Sequence, residues 1–226
     1  MKKLRYLLCL TLALAFTATA QPRAQEVMKN VRAQFDRVKD YTVDIRAKVD
    51  IPRVQVPAME AKLYFKQPDK VHLKADGFAM IPKDAVSFNP HVFEDERYDM
   101  VVQGTESIGG KGCYKVKLLA RSDTLRVQRA MVYVDSTDWL ILRLESDPNQ
   151  GRSAVANITY ALIENKYFLP SKAEVNMDAP PMRLRPGQSI KKDEQEEGQQ
   201  ASASIEYSNY KVNTGLSDSL FEEESK

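Results

Sequence analysis

Alternation of apolar and polar residues, with a period of two, is the feature that most constrains this chain. It runs over residues 41–51 and again over 59–65, and Pro52 and Pro57 separate the two runs. A strand with one buried face has this period, because successive side chains point to opposite sides of a sheet. The two runs therefore predict an antiparallel hairpin.

Strand-like runs continue along most of the chain, separated by turn signals of Gly, Asn, Asp and Pro. They cover residues 71–75, 98–103, 113–119, 126–135, 139–145, 154–163, 168–177 and 203–211. An amphipathic helix is predicted before them at 26–38, where apolar residues recur every three or four positions. About ten strands with few helices predict a mainly β, α+β fold, in the form of an incomplete antiparallel β-barrel with a helical lid. A flat two-sheet sandwich is the alternative.

The strand number bears on function. A barrel of about eight strands is just filled by its own side chains or holds one small ligand, and its diameter grows with strand number. A curled sheet of about ten strands leaves space, which is filled by the helix and an apolar segment at 77–89 or by something the protein carries. The ordinary interpretation of the inward apolar residues is core, and the functional interpretation is a cavity for acyl chains.

The N-terminus has the pattern of a secretory signal peptide at residues 1–20. Basic residues at positions 2, 3 and 5 precede an apolar run over 6–16, and an Ala-x-Ala site ends at Ala20. We expect cleavage after Ala20, which leaves a single exported domain over 21–226. Of the 33 Lys and Arg residues, 30 then remain against 31 Asp and Glu, so a nucleic-acid partner has no electrostatic support.

The residues that carry metal or disulfide chemistry are sparse. Cys9 leaves with the signal peptide, and the remaining Cys113 cannot form an intramolecular disulfide. His72 and His91 have no Cys or second His at ligand spacing, so we expect no metal and no cofactor. The Gly-rich stretch at 109–112 lacks the full phosphate-loop spacing and predicts a turn.

Two further features concern catalysis and mobility. His91, Asp95 and Cys113 are the only candidates for a nucleophilic triad, and no family signature accompanies them, so we do not expect an enzyme. Residues 179–202 combine prolines, a charge run at 191–194 and Gln-rich polar positions. This composition predicts a mobile, solvated insertion.

As a whole, the chain resembles the bacterial outer-membrane lipoprotein carrier and sorting family. The resemblance rests on the signal peptide, the opening helix, the hairpin and three runs, namely LYFKQPDKV at 63–71, LILRLE at 140–145 and YSNYKVNTGL at 207–216. It implies a periplasmic half-barrel, expected to be monomeric, whose apolar cavity receives the acyl chains of lipoproteins. Family carriers take this cargo from an inner-membrane ATP-driven transporter and pass it to an outer-membrane acceptor.

The resemblance and the alternation together select site residues. The expected cavity lining is Val43, Ile45, Val49, Leu63, Phe65, Leu73, Phe78 and Met80. The expected lid residues are Val31, Phe35, Val38, Ile81 and Phe88. Family carriers have a basic residue before the Pro of the second strand, which helps to fasten the lid. This chain has Gln67 there, and an amide offers two donors and no charge.

Two other hypotheses stay open at this point. A lipid-sensing regulatory or envelope-stress protein on the same half-barrel would bind a lipid and report it to a membrane partner. A hydrolase of envelope lipids would use the triad of His91, Asp95 and Cys113. A large open apolar cavity would favour cargo binding, a flat exposed apolar patch would favour a partner, and His91 beside Cys113 in a cleft would favour chemistry.

Overall fold

The computed structural model describes residues 22–51, 56–75, 87, 89–125, 127–148, 153–178 and 200–222. Within them the chain forms helix α1 (Ala24–Phe35) and ten strands. The strands are β1 (Asp40–Asp50), β2 (Met59–Lys66), β3 (Lys70–Ala75), β4 (Tyr98–Ile108), β5 (Lys111–Ala120), β6 (Val127–Asp135), β7 (Ile141–Pro148), β8 (Ala154–Ile163), β9 (Tyr167–Asp178) and β10 (Gln200–Val212). Short 3-10 helices lie at Pro90–Val92 and Asp218–Phe221.

These elements confirm the predicted helix and strands, with small shifts at their ends. β10 begins at Gln200 and not at 203, so the last residues of the predicted insertion belong to the sheet. The predicted signal peptide, most of the 77–89 segment and residues 179–199 lie outside the described residues. No helix in the described part of the chain is long and apolar enough to cross a bilayer.

All ten strands belong to one antiparallel sheet, in the order β3-β2-β1-β10-β9-β8-β7-β6-β5-β4. β1 and β2 form the predicted hairpin, β3 pairs with β2, and the chain then crosses from one edge of the sheet to the other. It returns strand by strand to β10, which pairs with β1. The edge strands β3 and β4 do not pair with each other, so the barrel is incomplete, as predicted, and the sandwich alternative is wrong.

A glycine pair makes the turn between β4 and β5. Ile108 and Lys111 face each other in the register, and between them Gly109 and Gly110 have φ values of 58° and 82°. Positive φ at both central residues is the type I′ hairpin geometry, which glycine adopts without steric cost. The 109–112 stretch is therefore a turn, as predicted.

Two core clusters fill the inner face of the sheet unevenly. The first packs α1, through Val27 and Met28, against β4 to β7. The second joins β1, β2, β9 and β10 around Leu63 and Phe65. β8 contributes no fully buried residue to either cluster, and all of its residues are half-buried or exposed. The inner face over β8 is therefore only partly covered by the described side chains.

The start of β1 is fastened to the chain that follows β10. The carboxylate of Asp40, which is 4% exposed, accepts the backbone N–H of Thr214 at 2.8 Å and that of Gly215 at 3.0 Å. The side-chain oxygen of Asn213 accepts the N–H of Lys39 at 2.6 Å. Residues 39–40 and 213–215 thus join the start of β1 to the end of β10.

Candidate binding cavity

An apolar cavity of about 320 Å³ lies between the C-terminal end of α1 and strands β7 to β10. Val31 and Ile141 of the first core cluster line it, as do Val38 and Ile205 of the second. β8 contributes three lining residues, Ala156, Ile158 and Tyr160. The cavity therefore occupies the gap that the two core clusters leave over the inner face.

Register across three strands shapes the cavity wall. Ala173 of β9 lies between Ile158 of β8 and Ile205 of β10, and cross-strand partners share one face of a sheet. A second row lies beside the first and consists of Ala156, Val175 and Ala203. At Ala173 a small residue lies between two large ones, which leaves a recess over β9, whereas in the second row the larger Val175 lies between two alanines.

The described lining residues include no charged side chain. The side chains that can hydrogen-bond belong to Gln34, Tyr41, Trp139, Tyr160 and Tyr207. The hydroxyl of Tyr160 donates to the carbonyl oxygen of Ile141 at 3.1 Å, within the wall itself. The cavity therefore presents aliphatic and aromatic surface with a few neutral polar atoms.

Four tyrosines around this wall are kept neutral. Burial raises the pKa of Tyr41, Tyr160, Tyr207 and Tyr210 well above the ordinary value, and their mutual proximity raises three of them further. The hydroxyl of Tyr210 donates to the carbonyl of Pro170, which lines the cavity, at 2.8 Å. An unperturbed phenol is already neutral at pH 7, and desolvation, which disfavours the phenolate, keeps these tyrosines uncharged at more alkaline pH as well.

Hydrogen bonds hold the chain just after α1 across one side of the cavity. Gln34 donates through Nε2 to the carbonyl of Asp138 at 3.0 Å, and its Oε1 accepts from Nη1 of Arg37 at 2.8 Å. Nη2 of Arg37 donates to the carbonyl of Lys166 at 3.0 Å. The helix end is thus connected to the β6–β7 turn and to the β8–β9 turn.

The opposite flank of α1 is fastened to the segment before β4. Arg32 donates through Nη1 to the carbonyl of Phe93 at 2.9 Å, and its Nη2 lies 3.2 Å from a carboxylate oxygen of Asp95. Nε2 of His91 lies 2.8 Å from Oδ1 of Asp36. The helix is therefore held at both flanks.

Trp139 enters the cavity from a strained turn. Its φ of 57° lies in the left-handed region, which is unusual for a bulky residue. The indole stacks on Tyr114 with ring centroids 5.9 Å apart, and the backbone N–H donates to the carbonyl of Asp135. Burial opposes ionisation of the Asp135 side chain, but bonds from Lys111 and from the Thr137 N–H outweigh it, so the pKa of Asp135 is lowered.

The residues predicted to line the cavity do not form the wall described above. Six of them lie in the described part of the chain and are absent from that wall, namely Val43, Ile45, Val49, Leu63, Phe65 and Leu73. The inner face of β1 and β2 is filled by aromatic packing, since the Phe65 ring contacts Phe35 at 5.4 Å and stacks on Tyr41 at 5.0 Å. Phe78 and Met80 lie outside the described residues, and ligand contact by all eight stays a prediction.

Three of the predicted lid residues border the cavity. Val31, Phe35 and Val38 line it, while Ile81 and Phe88 lie outside the described residues. α1 also serves as core, because Val27 and Met28 near its start are fully buried. Movement of the helix as a lid therefore stays a prediction.

The wall residues of β7 to β10 were not selected from sequence, although all four strands were predicted. Alternation within 154–163 places Ala156 and Ile158 on one face, and the same pattern holds for Ala173 and Val175. Period alone does not reveal which stretch of an inner face stays uncovered. That depends on where α1 packs, which is a tertiary property.

The contacts of the triad candidates do not bring them together. Cys113 is fully buried, and its Sγ lies 3.5 Å from the carbonyl oxygen of Lys111. His91 contacts Asp36, and Asp95 contacts a helix arginine. Burial raises the pKa of the Cys113 thiol, which disfavours the reactive thiolate. In the described ranges, no group of three or more His, Cys, Asp or Glu residues is arranged to hold a metal ion.

Gln67 connects the end of β2 with the chain between α1 and β1. Its Nε2 donates to the carbonyl of Val38 at 3.2 Å, and its backbone N–H donates to the carbonyl of Lys39 at 2.8 Å. The preceding Lys66 bonds elsewhere, since its Nζ donates to the carbonyl of Leu216 at 2.7 Å. The amide therefore contacts the backbone of a predicted lid residue.

Comparison with solved structures identifies the fold. A putative outer membrane lipoprotein-sorting protein domain from Vibrio parahaemolyticus has a TM-score of 0.62 at 11% identity, over 88% of this chain and 97% of that one. A DUF1329 family protein from Desulfovibrio piger has a TM-score of 0.59 at 16% identity, over 89% and 98%. A LolA superfamily protein from Nitrosomonas europaea has a TM-score of 0.57 at 13% identity, again over 89% and 98%.

The chain therefore has the half-open barrel fold of lipoprotein-sorting and LolA superfamily proteins, as the resemblance predicts. No family model and no curated protein matches the sequence. The likeness lies in the fold and not in closely related sequences.

Proposed function

We propose that this protein is a periplasmic, non-enzymatic carrier that binds acyl chains of lipoproteins, or of another acylated molecule, and ferries them towards the outer membrane. The observation that carries the proposal is the uncharged cavity of about 320 Å³ over β8 and β9. Apolar clefts with few polar groups are the usual sites for apolar ligands. The fold supports the proposal, because one protein that shares it is described as a putative outer membrane lipoprotein-sorting domain.

Energetics agree with a carrier that must also release its cargo. Each buried methylene stabilises a complex by ~0.8 kcal/mol, so about twelve of them contribute roughly 10 kcal/mol before the cost of ordering. Complete burial would slow release. Met177 lines the cavity and is itself 37% exposed, which keeps part of a bound chain near solvent.

The remaining parts of this proposal concern entry and partners. We propose that cargo displaces Phe35 of α1, which packs on the inner face of the β1–β2 hairpin. Val43, Ile45, Leu63 and Phe65, which are among the predicted lining residues, then become ligand contacts. An inner-membrane ATP-driven transporter supplies the cargo, and an outer-membrane acceptor receives it. The carrier works as a monomer.

A larger side chain at position 173, which fills the recess over β9, tests the binding site. Ala173→Phe places a ring between Ile158 and Ile205, so we expect affinity for cis-parinaric acid, a fluorescent fatty acid, to fall at least about tenfold. Titration of the probe followed by its fluorescence gives the dissociation constants. Ala173→Leu should give a smaller loss, which keeps the test valid if the larger side chain disturbs folding.

Thr159→Phe is the matched control for the filling experiment. Thr159 is exposed on the opposite face of the same sheet, where it pairs with Lys172. The affinity of the Thr159→Phe variant for the probe should therefore equal that of the wild type. Binding that survives in both Ala173 variants while they remain folded would contradict the proposed site. Failure of the wild type to bind would contradict the function itself.

Export is tested by the first residue of the mature protein. We expect protein recovered from the periplasm of an expressing bacterium to begin at Gln21, because the Ala-x-Ala site ends at Ala20. N-terminal sequencing of that fraction makes the measurement. Full-length protein confined to the cytoplasm would contradict export.

A further inference from the structure

Two basic residues, Arg37 and Lys166, lie next to one end of the cavity, which we call the rim and define by Gln34, Phe35 and Phe168. Nζ of Lys166 lies 4.9 Å from the centroid of the Tyr167 ring, just outside the lining. Arg37 lies two residues after Phe35. Its Nη1 donates to Oε1 of Gln34, and its Nη2 donates to the carbonyl of Lys166. Both side chains belong to exposed residues. In the described part of the chain neither forms an ion pair, although many other lysines and arginines do.

The wall beyond the rim has the width of one aliphatic chain. Ile158 and Ile205 lie on the strands either side of β9, so their backbones are about 10 Å apart, and the small side chain of Ala173 leaves a recess between them. An apolar cavity of about 150 Å³ holds one benzene ring. The observed 320 Å³ is about twice that, which corresponds to roughly twelve carbon atoms.

A charged group cannot follow the chain inward. The described lining offers no charged partner, and the phenols of Tyr160 and Tyr207 stay neutral. An unpaired carboxylate or phosphate buried there would lose its hydration without compensation. It must therefore remain at an end of the cavity.

We propose, building on the carrier function for an acylated molecule other than a lipoprotein, that the ligand is a single-chain anionic amphiphile. Its chain lies along β9 from Phe168 towards Met177, and its carboxylate or phosphate binds Arg37 and Lys166 at the rim. Three carboxylates lie nearby, namely Glu164 in the same turn as Lys166, Asp36, which contacts Nε2 of His91, and Asp138, which contacts Nζ of Lys111. The distance from Phe168 to Met177 is roughly 30 Å along the strand, which is long enough for the chain.

The head-group site is tested with two probes of equal chain length. We expect Arg37→Gln/Lys166→Gln to weaken binding of dodecanoate by roughly tenfold and to leave binding of dodecanol unchanged, as measured by titration calorimetry. Lys166→Gln alone should give part of the effect, and it leaves the Arg37–Gln34 bond in place. Arg23→Gln/Lys29→Gln removes the same charge from exposed positions of the helix region and should bind both probes as the wild type does.

The outcomes separate this inference from the function on which it rests. Equal loss of both probes, or no loss of dodecanoate, overturns the head-group site. If the wild type binds neither probe, the carrier function fails first.

A second comparison tests the single chain and the kind of anion. A one-chain phosphatidic acid with a twelve-carbon chain should bind at one molecule per protein, and its affinity relative to dodecanoate shows whether phosphate or carboxylate is preferred. The two-chain phosphatidic acid with the same head group should bind more weakly, because one chain must stay in water. Equal or tighter binding of the two-chain lipid overturns the single-chain assignment.

Discussion

Asp218 links the chain after β10 to the β2–β3 hairpin. Its Oδ1 lies 2.9 Å from Nζ of Lys70 and 2.9 Å from Nζ of Lys66. These bonds, the one from Lys70 first, hold the pKa of Asp218 down at about 2. One carboxylate thereby fastens the last 3-10 helix to edge strand β3.

The lowered pKa makes this contact pH-dependent. In the unfolded chain the Asp pKa is about 3.9, so the stabilisation is complete above that value and is lost as the pH falls through about 2. We expect Asp218→Asn to be less stable than the wild type near neutral pH, by a small amount because the contact is exposed. Urea unfolding of both proteins at several pH values from about 6 down to about 2 measures the difference. A difference that does not shrink in acid would contradict the assignment.

Among the structural elements, α1 combines two roles. Its first turns bury Val27 and Met28 in the core, and its last turn brings Val31 and Phe35 to the cavity. Sequence periodicity predicted the helix because both roles use the same apolar face. It did not separate the part that packs permanently from the part that borders empty space.

Arg32 should control how firmly this helix is held. Its side chain is 17% exposed and bonds to the Phe93 carbonyl and to Asp95, so we expect Arg32→Ala to lower the free energy of unfolding by about 1–3 kcal/mol. Amide hydrogen exchange should accelerate in α1 and not in β8. Lys29→Ala, on the exposed side of the same helix, should change stability by less than about 0.5 kcal/mol. Unchanged exchange in α1 would show that the arginine does not hold the helix.

A β-bulge in β10 shows where a period of two fails to predict which face a side chain occupies. Alternation along β10 places Tyr207 and Tyr210 on opposite faces, yet both tyrosines are half-buried beside the cavity wall. The register with β1 shifts between Thr42 and Asp44, and Asn209 adopts a φ of 58° there. Such a bulge adds one residue and turns the following side chain to the other face. Nothing in the alternation pattern itself signals it.

At the scale of the whole molecule, the ten strands and the opening helix could be predicted because burial on one face imposes a period of two on a strand and of 3.6 on a helix. The position of the cavity could not. The hairpin β1–β2 has the stronger alternation, but Phe35 and Tyr41 fill its inner face. The gap lies over β8 and β9, at a distance in sequence from the helix that borders it, and only the sheet order brings them together.

The pairing of β1 with β10 has a consequence for how the protein is made. β1 leaves the ribosome first, but it can pair with β10 only after β10 has been synthesised. The hydrogen bonds of Asp40 to Thr214 and Gly215 form only then. Sheets closed by such distant partners form slowly. In a nascent chain of this topology, β1 therefore lacks one of its two neighbouring strands until β10 has emerged.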